Sequence, residues 1–189
     1  MKKIALFASG SGTNVENIIK YFNNNRSVEV SIILTNNANA FVLERAKNHS
    51  ISSYIFNKHE FYNTDNVLKE LKQKKIDLIV LAGFMWLVPE NLINNFNSRI
   101  INIHPALLPK YGGKGMYGDY VHKAVIANGE NESGITIHYV NNVYDDGEII
   151  FQAKCLISSE DNPESLAKKI HSLEYEHYPP VIEKLLLKK

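Results

Sequence analysis

The chain has 189 residues, 44% apolar and 22% charged, which is ordinary globular usage and excludes disordered, fibrous and low-complexity classes. A chain of this size forms one domain and buries roughly two-thirds of the surface its unfolded form exposes. With 21 Lys and Arg against 20 Asp and Glu, the net charge of +1 provides no broad attraction for nucleic acid or an anionic membrane, so binding sites must be local.

Met1-Lys2-Lys3 followed by the apolar run Ile4 to Ala8 superficially mimics a signal peptide, but the run is too short and meets Gly10 and Gly12 at once. It reads as a first strand. No stretch approaches the roughly 18 apolar residues of a membrane span, so the cytoplasm is the expected compartment. After Ser9-Gly10-Ser11-Gly12-Thr13-Asn14, the apolar residues Val15, Ile18, Ile19 and Phe22 recur at helical spacing. Val28 to Leu34 is a second strand, Phe41 to Lys47 a helix and Ser53 to Phe56 a short strand. Asn57 with Glu60 three residues on is a capping-box start, and Val67, Leu68 and Leu71 carry the apolar stripe behind it. Asp77 to Ala82 is apolar on both faces, as a central parallel strand is.

Ile100 to Ile103 is another buried-type strand, followed by a Pro/Gly-rich loop from Pro105 to Gly118 and a helix around Val121 to Ala127. Ile135 to Val140 and Ile149 to Leu156 then form two strands with no helix between them, joined by the turn-forming Asn141 to Gly147. Pro163 to Leu187 is helical, with an interruption expected at Pro179-Pro180, and Lys184, Lys188 and Lys189 suit its C-terminus. The fold class expected is α/β: one domain over 1–189, built on a mostly parallel, doubly wound Rossmann-like sheet of about seven strands with an antiparallel C-terminal edge.

Ligands in such sheets sit at the carboxyl ends of strands beside a topological switch point. Three loops there carry chemistry: Ser9 to Asn14, Gly83 to Pro89 and Asn102 to Gly118. The first suits a phosphomonoester, because its glycines let the chain turn closely and its amides open a helix. Val15 stands where the third glycine of a dinucleotide fingerprint would fall. An ordinary turn with Thr13 as N-cap explains the segment equally well. Strand alternation puts Asn102 and His104 on one face. An amide donor beside an imidazole suits acyl transfer to an amine, although a structural hydrogen-bonded pair has the same spacing. Asp145-Asp146-Gly147 follows the strand bearing His138; Asp146-Gly147 is a common turn dipeptide, which leaves Asp145 free to reach an imidazole.

Among the remaining groups, the seven histidines are scattered without metal-ligand spacing. His49, His59 and His122 read as solvent-facing, and Cys155, the single cysteine, as a buried structural thiol in the apolar stretch Ile149 to Ile157.

Leu81-Ala82-Gly83-Phe84-Met85, the run Asn102-Ile103-His104-Pro105-Ala106-Leu107-Leu108-Pro109-Lys110-Tyr111, the run Gly134 to Val140, and Asp145 together resemble the phosphoribosylglycinamide formyltransferase family. With the opening Ser-Gly-x-Gly-Thr-Asn turn and Glu174, the resemblance covers nearly the whole chain. It implies the formyltransferase fold, with an N-terminal substrate-binding part and a C-terminal folate-binding part. The implied reaction takes the formyl group from 10-formyltetrahydrofolate to the glycyl amine of 5′-phosphoribosylglycinamide in purine synthesis, without a metal. Asn102 would then hold the oxyanion, His104 would move protons and Asp145 would orient His104. Gly12, Thr13 and Asn14 would hold the phosphate and Glu174 the ribose, with Gly83 and Pro105 beside the substrate. Met85, Trp86, Leu87, Val88, Asn141, Asn142, Val143 and Tyr144 would line the folate cleft.

Two features depart from the family pattern. Trp86 stands where many relatives carry an arginine, and the loop Gly112 to Gly118 is longer and richer in glycine; it reads equally as a lid or as a plain connection. The related enzyme acting on initiator methionyl-tRNA adds a C-terminal domain, and the deformylase an N-terminal one, for which this chain leaves no residues. A sugar-nucleotide formyltransferase is disfavoured by the short phosphate loop and Glu174. A non-catalytic folate- or nucleotide-binding module would have no need of Asn102, His104 and Asp145 together. The expected partners are small molecules, with no nucleic acid or membrane and an open oligomeric state.

Overall fold

The computed structural model describes residues 1–187, so the expectation for Lys188 and Lys189 lies outside the described residues. The elements run β1 (Lys2–Phe7), α1 (Thr13–Phe22), β2 (Val28–Thr35), α2 (Val42–Asn48), β3 (Ser53–Ile55), α3 (Lys58–Asn63), α4 (Asn66–Gln73), β4 (Leu78–Leu81), α5 (Glu90–Asn95), β5 (Ile100–His104), α6 (Asp119–Ala127), β6 (Glu132–Tyr139), β7 (Ile149–Leu156) and α7 (Pro163–Leu187). They build one seven-stranded sheet of order β3-β2-β1-β4-β5-β6-β7. The pairs among β1 to β5 are parallel, whereas β6 runs antiparallel to both β5 and β7. This is the mostly parallel α/β sheet with an antiparallel edge that the alternation of strands and helices predicts.

The two-residue period of the strands divides the core between the faces of the sheet. Ile4, Leu6 and Ala8 join Val15, Ile18, Val121, Val125, Ile170 and Tyr178 in one cluster, and so pack under α1, α6 and α7. Ala5 and Phe7 join Phe61, Val67, Leu71 and Leu92 in the other, under α3, α4 and α5. β1 is buried on both faces, which is why its sequence reads as an unbroken apolar run.

Three local features differ from the sequence reading. The capping box of Asn57 and Glu60 forms, but extended Thr64 ends α3 and the chain restarts as α4. Thr64 holds the break by donating to the Glu60 carbonyl at 2.8 Å and accepting from the Asn66 amide at 3.2 Å. α5 is not anticipated: its six residues contain one buried apolar side chain, Leu92, too few to display a helical period. Finally, α7 passes through Pro179 and Pro180 without interruption. Pro179 has no N–H for the carbonyl of Tyr175, and Asn17 of α1 donates its side-chain amide to that oxygen instead, at 2.9 Å. The fully buried Tyr178 beside it donates to the Leu81 carbonyl at the end of β4, also at 2.9 Å.

The β6–β7 hairpin depends on close backbone approach. A Cβ at Gly147 would lie 1.7 Å from the Tyr139 carbonyl oxygen, a fixed backbone atom. Gly147→Ala is therefore expected to destabilise the protein by at least about 3 kcal/mol, as overpacking against an immobile partner does. Chemical denaturation checks this, and an unchanged midpoint would contradict it.

Candidate active site

β1 leads outward to β2, and β4 leads outward on the opposite side to β5, so the winding of the sheet reverses between β1 and β4. The loops after β1, β4 and β5 diverge there around a cleft of about 640 Å³. All three loops singled out from the sequence meet in its wall, together with Val143 to Asp145 and the side chains of His122, His138, His171 and Glu174.

The first loop is held from behind. Ser9 donates its amide to the Gly83 carbonyl at 2.9 Å and accepts the Met85 amide at 3.0 Å, which fixes the β1 and β4 loops to each other. Gly12 takes φ 69° and occupies the N-cap of α1, so Thr13 is the first helical residue rather than the cap. A Cβ at Gly12 would fall 2.4 Å from a Val42 methyl; only glycine satisfies both the turn and the packing. Arg45 donates to the Ser11 carbonyl at 2.8 Å and pairs with Glu16. Arg45, Lys20 and His49 together pull the Glu16 carboxyl down to about 2. Asn14 donates to Glu174 Oε2 at 2.8 Å, while its own Oδ1 is buried without a partner. Glu174 is 6% exposed; burial raises its pKa, and the Asn14 hydrogen bond only partly opposes this. An orphaned acceptor beside a buried carboxyl, at the mouth of a helix, is an arrangement that a polar ligand would complete.

β5 ends in Asn102 and His104, and the antiparallel register sets His138 of β6 directly opposite Asn102. Asp145 reaches into the same space from the β6–β7 turn, in the left-handed conformation at φ 55°. Its Oδ2 lies 3.4 Å from His104 Nδ1 and its Oδ1 lies 3.6 Å from His138 Nε2, so one carboxylate spans two imidazoles. The Gly113 amide also donates to Oδ2, at 3.0 Å. Burial alone would raise the Asp145 pKa, but the neighbouring imidazoles of His138 and His104 and the Gly113 amide outweigh it and hold the carboxyl below its usual value.

The partners fix both tautomers. His104 Nε2 is 2.7 Å from the Tyr111 carbonyl, an acceptor only, so Nε2 carries the hydrogen and Nδ1 is the basic nitrogen facing Asp145. His138 Nδ1 is 2.8 Å from its own chain's Tyr139 carbonyl, which leaves Nε2 as an acceptor. Asn102 then turns its amide nitrogen toward two acceptors, His138 Nε2 at 3.2 Å and Asp145 Oδ1 at 3.4 Å. His104 is 3% exposed. Burial lowers its pKa more than Asp145 raises it, so the imidazole is neutral at pH 7. The set can thus offer an amide N–H to a developing negative charge and a neutral base coupled to a carboxylate.

His138 is a member of this site that sequence reasoning did not single out as functional. Its one signal in the sequence was a polar ring inside a buried-type strand; the register with Asn102 appears only in the fold. His122, expected at the surface, is 3% exposed and lines the cleft; α6 turns it inward beside Val121 and Val125. Its Nδ1 has no partner, and burial, with His171 adding to it, lowers its pKa. Cys155 is half-buried on the edge strand β7, not enclosed, and burial raises its pKa, which keeps the thiol protonated. Of the remaining histidines, His59 is exposed and His49 is half-buried against Glu16.

Gly83 and Pro105, expected beside the substrate, and Met85, Trp86, Leu87, Val88, Val143 and Tyr144, expected at the folate, line the cleft, but Asn141 and Asn142 do not. Asn141 accepts the Val143 amide at 2.9 Å and donates to Asp146 at 3.2 Å, bracing the turn that presents Asp145. Trp86 packs into a cluster with Phe56, Phe61, Tyr62 and Phe84, with centroids 5.8 to 6.4 Å away, and forms an aromatic wall on the α3–α5 side. Thr136, fully buried, accepts the Leu108 amide at 3.0 Å and donates to the Ala106 carbonyl at 2.7 Å, which fixes the chain leaving His104. Among the described residues no group of His, Cys, Asp and Glu has the arrangement of a metal site, and no helix is long and apolar enough to cross a membrane.

A doubly wound sheet with an amide, a buried imidazole and a carboxylate at its switch point defines a group-transfer enzyme. The model of the formyl transferase family matches residues 2–182, and the chain belongs to that family, whose formyl donor is folate-linked. It is 38% identical over 188 residues to the phosphoribosylglycinamide formyltransferase of Haemophilus influenzae, covering 97% of this chain and 86% of that one. The chloroplastic phosphoribosylglycinamide formyltransferase of Arabidopsis thaliana is 37% identical over 187 residues, 96% of this chain; the chain spans only 64% of that relative. A crystal structure of phosphoribosylglycinamide formyltransferase from Anaplasma phagocytophilum superposes with a TM-score of 0.91 at 32% identity, covering 100% of this chain and 88% of that one.

Proposed function

We propose that this chain transfers the formyl group of 10-formyltetrahydrofolate to the amine of 5′-phosphoribosylglycinamide, a purine-synthesis step, as a single formyltransferase domain over 1–189. The observation that carries the reading is Asp145 set between His104 and His138 with Asn102 beside it, in a cleft that the Gly10–Asn14 loop also lines. Small-molecule substrates and a cytoplasmic setting belong to the same reading, and the reaction requires no metal.

The amine lone pair attacks the formyl carbon, and the carbonyl electron pair moves onto oxygen. Asn102 meets that oxyanion. One amide hydrogen is held by His138 Nε2, and the other, loosely bonded to Asp145 at 3.4 Å, is the one free to turn. The amine then loses a proton to the Asp145–His104 pair. Because His104 Nδ1 faces the carboxylate, the proton enters through Asp145 or a bridging water and is shared as an Nδ1–H to Oδ2 bond. Collapse of the intermediate returns the oxyanion's electron pair to the carbonyl and breaks the bond to the folate nitrogen, which leaves with the proton handed back by the Asp145–His104 pair. No covalent enzyme intermediate is needed, and positioning of two bound substrates supplies much of the acceleration.

Gly12, Thr13 and Asn14 take the phosphate and Glu174 the ribose hydroxyls, with Gly83 and Pro105 flanking the substrate. Met85, Trp86, Leu87, Val88, Val143 and Tyr144 receive the folate, while Asn141 and Asn142 act at most through the turn. Turnover of 10-formyltetrahydrofolate should require the phosphorylated amine, and comparable rates with the dephosphorylated amine would contradict this reading. Asn14→Ala is expected to raise the KM for the phosphorylated amine roughly 10- to 100-fold, the loss of a hydrogen bond to a charged group. Initial-rate kinetics should show little change in folate KM; an equal rise in both would remove Asn14 from the phosphate site.

A further inference from the structure

The substrate named in the proposed function carries close to two negative charges on its phosphate, and beyond the amides that open α1 and the imidazoles of His122 and His171 the cleft offers little to balance them. Glu174 and Asp145 line the cleft, while Glu16 lies behind the phosphate loop and occupies Arg45. Arg45 itself is not part of the lining. Among the described lining residues the sole lysine or arginine is Lys114, in the middle of the glycine-rich loop. Among the described residues it has no ion-pair or hydrogen-bond partner.

Lys114 belongs to a loop anchored on the core that also carries α1. Met116 and Tyr111, on either side of it in the loop, pack against the core of α1, α6 and α7, the helices that carry Asn14, His122 and Glu174. Phe84 and Trp86, the aromatic wall, pack against the opposite core under α3 to α5. Gly113 and Gly115, the direct neighbours of Lys114, take φ 96° and 90°, and a Cβ at either would meet nothing within 4 Å. The backbone here is bent into a conformation that favours glycine, with open space around it. This lets the lysine swing without displacing packed atoms. Gly113 is also the residue whose amide donates to Asp145 Oδ2, the oxygen facing His104.

We propose that Lys114 is the counter-ion of the substrate phosphate, and that by seating on it the loop sets the Gly113 amide against Asp145, so that phosphate binding positions the catalytic carboxylate. The proposal rests on the formyl-transfer reading and adds to it a specificity-determining residue and its route to the reacting centre. It also assigns the glycine-rich loop a role that neither a passive connection nor a cover over the folate would have.

The test uses Lys114→Met and Lys114→Arg of the full chain. Titration calorimetry with phosphoribosylglycinamide and with its dephosphorylated form is combined with initial-rate kinetics in both substrates. Lys114→Met is expected to weaken binding of the phosphorylated amine roughly 10- to 100-fold, as the loss of a charge-assisted hydrogen bond does. It should leave binding of the dephosphorylated amine and the folate KM unchanged. Lys114→Arg should restore most of the affinity, and the wild-type affinity should fall with added salt more steeply than that of Lys114→Met.

The route to Asp145 predicts that Lys114→Met also lowers kcat at saturating substrate and shifts the acid limb of its pH profile. A loss of affinity without these changes would leave Lys114 as a counter-ion and overturn the coupling. A rise confined to the folate KM would overturn the proposal outright by assigning Lys114 to the acidic folate tail. Failure of the wild type to bind the phosphorylated amine would instead overturn the formyl-transfer reading itself.

Discussion

Replacing Asn102 with alanine is expected to lower kcat roughly 10²- to 10³-fold, the usual cost of removing one donor to a developing oxyanion. The effect should fall on kcat more than on either KM, because the amide hydrogen offered to the oxyanion is only loosely bonded, at 3.4 Å to Asp145, before reaction. Truncation also leaves His138 Nε2 without its 3.2 Å donor. His138 lies at the cleft, so water can replace the amide and the loss of stability should stay near about 1 kcal/mol. Asn102→Asp separates the two effects, since it keeps the volume but places a negative charge beside Asp145 and the oxyanion. It should be at least as inactive as the alanine variant. Rates within a few-fold of wild type in either variant would show that the amide does not face the reacting carbonyl.

Asp145→Asn is expected to lower kcat by roughly 10²-fold or more, within the range of general acid–base contributions. Three consequences follow from the geometry. The imidazolium formed at His104 loses the charge 3.4 Å from its Nδ1, and the amide nitrogen of asparagine has no acceptor role toward that atom. The proton loses its entry path. The Gly113 amide exchanges a carboxylate oxygen at 3.0 Å for a neutral amide oxygen, a weaker acceptor, so the hold on the glycine-rich loop is loosened as well. The direction of the pH effect can be worked out. Burial lowers the His104 pKa from 6.5 and Asp145 partly restores it. Removing the carboxylate charge lowers it further. The acid limb of the kcat profile, where the base becomes protonated, should therefore move to lower pH in Asp145→Asn even as the plateau falls. A plateau that falls with the limb shifted upward would contradict the assignment of His104 as the base.

The same carboxylate contributes to stability. Its folded pKa lies below the ordinary value, so the contribution is present above the unfolded pKa near 3.8 and is lost as pH falls through the folded value.

Much of this site was legible in the sequence because the β5 strand period decides it. Asn102 and His104 had to share a face, and a polar pair at the end of a strand otherwise apolar calls for a partner. Asp145 was found by elimination in a turn, since Gly147 explained the dipeptide; the structure adds that Gly147 is required by its approach to the Tyr139 carbonyl. His138 was not legible as a functional residue because strand pairing is a long-range property: only the β5–β6 register brings it opposite Asn102. His122 was misread because α6 has a wide buried face that includes Val121, His122 and Val125 together, so a polar residue adjacent to the apolar stripe turned inward. The unbroken α7 could not be foreseen either. The proline rule holds locally, and it is a side chain 158 residues away, Asn17, that satisfies the freed Tyr175 carbonyl.

The most direct measurement supplies purified protein with 10-formyltetrahydrofolate, isotopically labelled in the formyl group, and phosphoribosylglycinamide, and follows the label by mass spectrometry. Formyl transfer predicts that the label appears in the N-formyl amine in step with tetrahydrofolate, and that the folate is stable when the amine is omitted. Label released as formate whether or not the amine is present, or no consumption of the folate at all, would contradict the account.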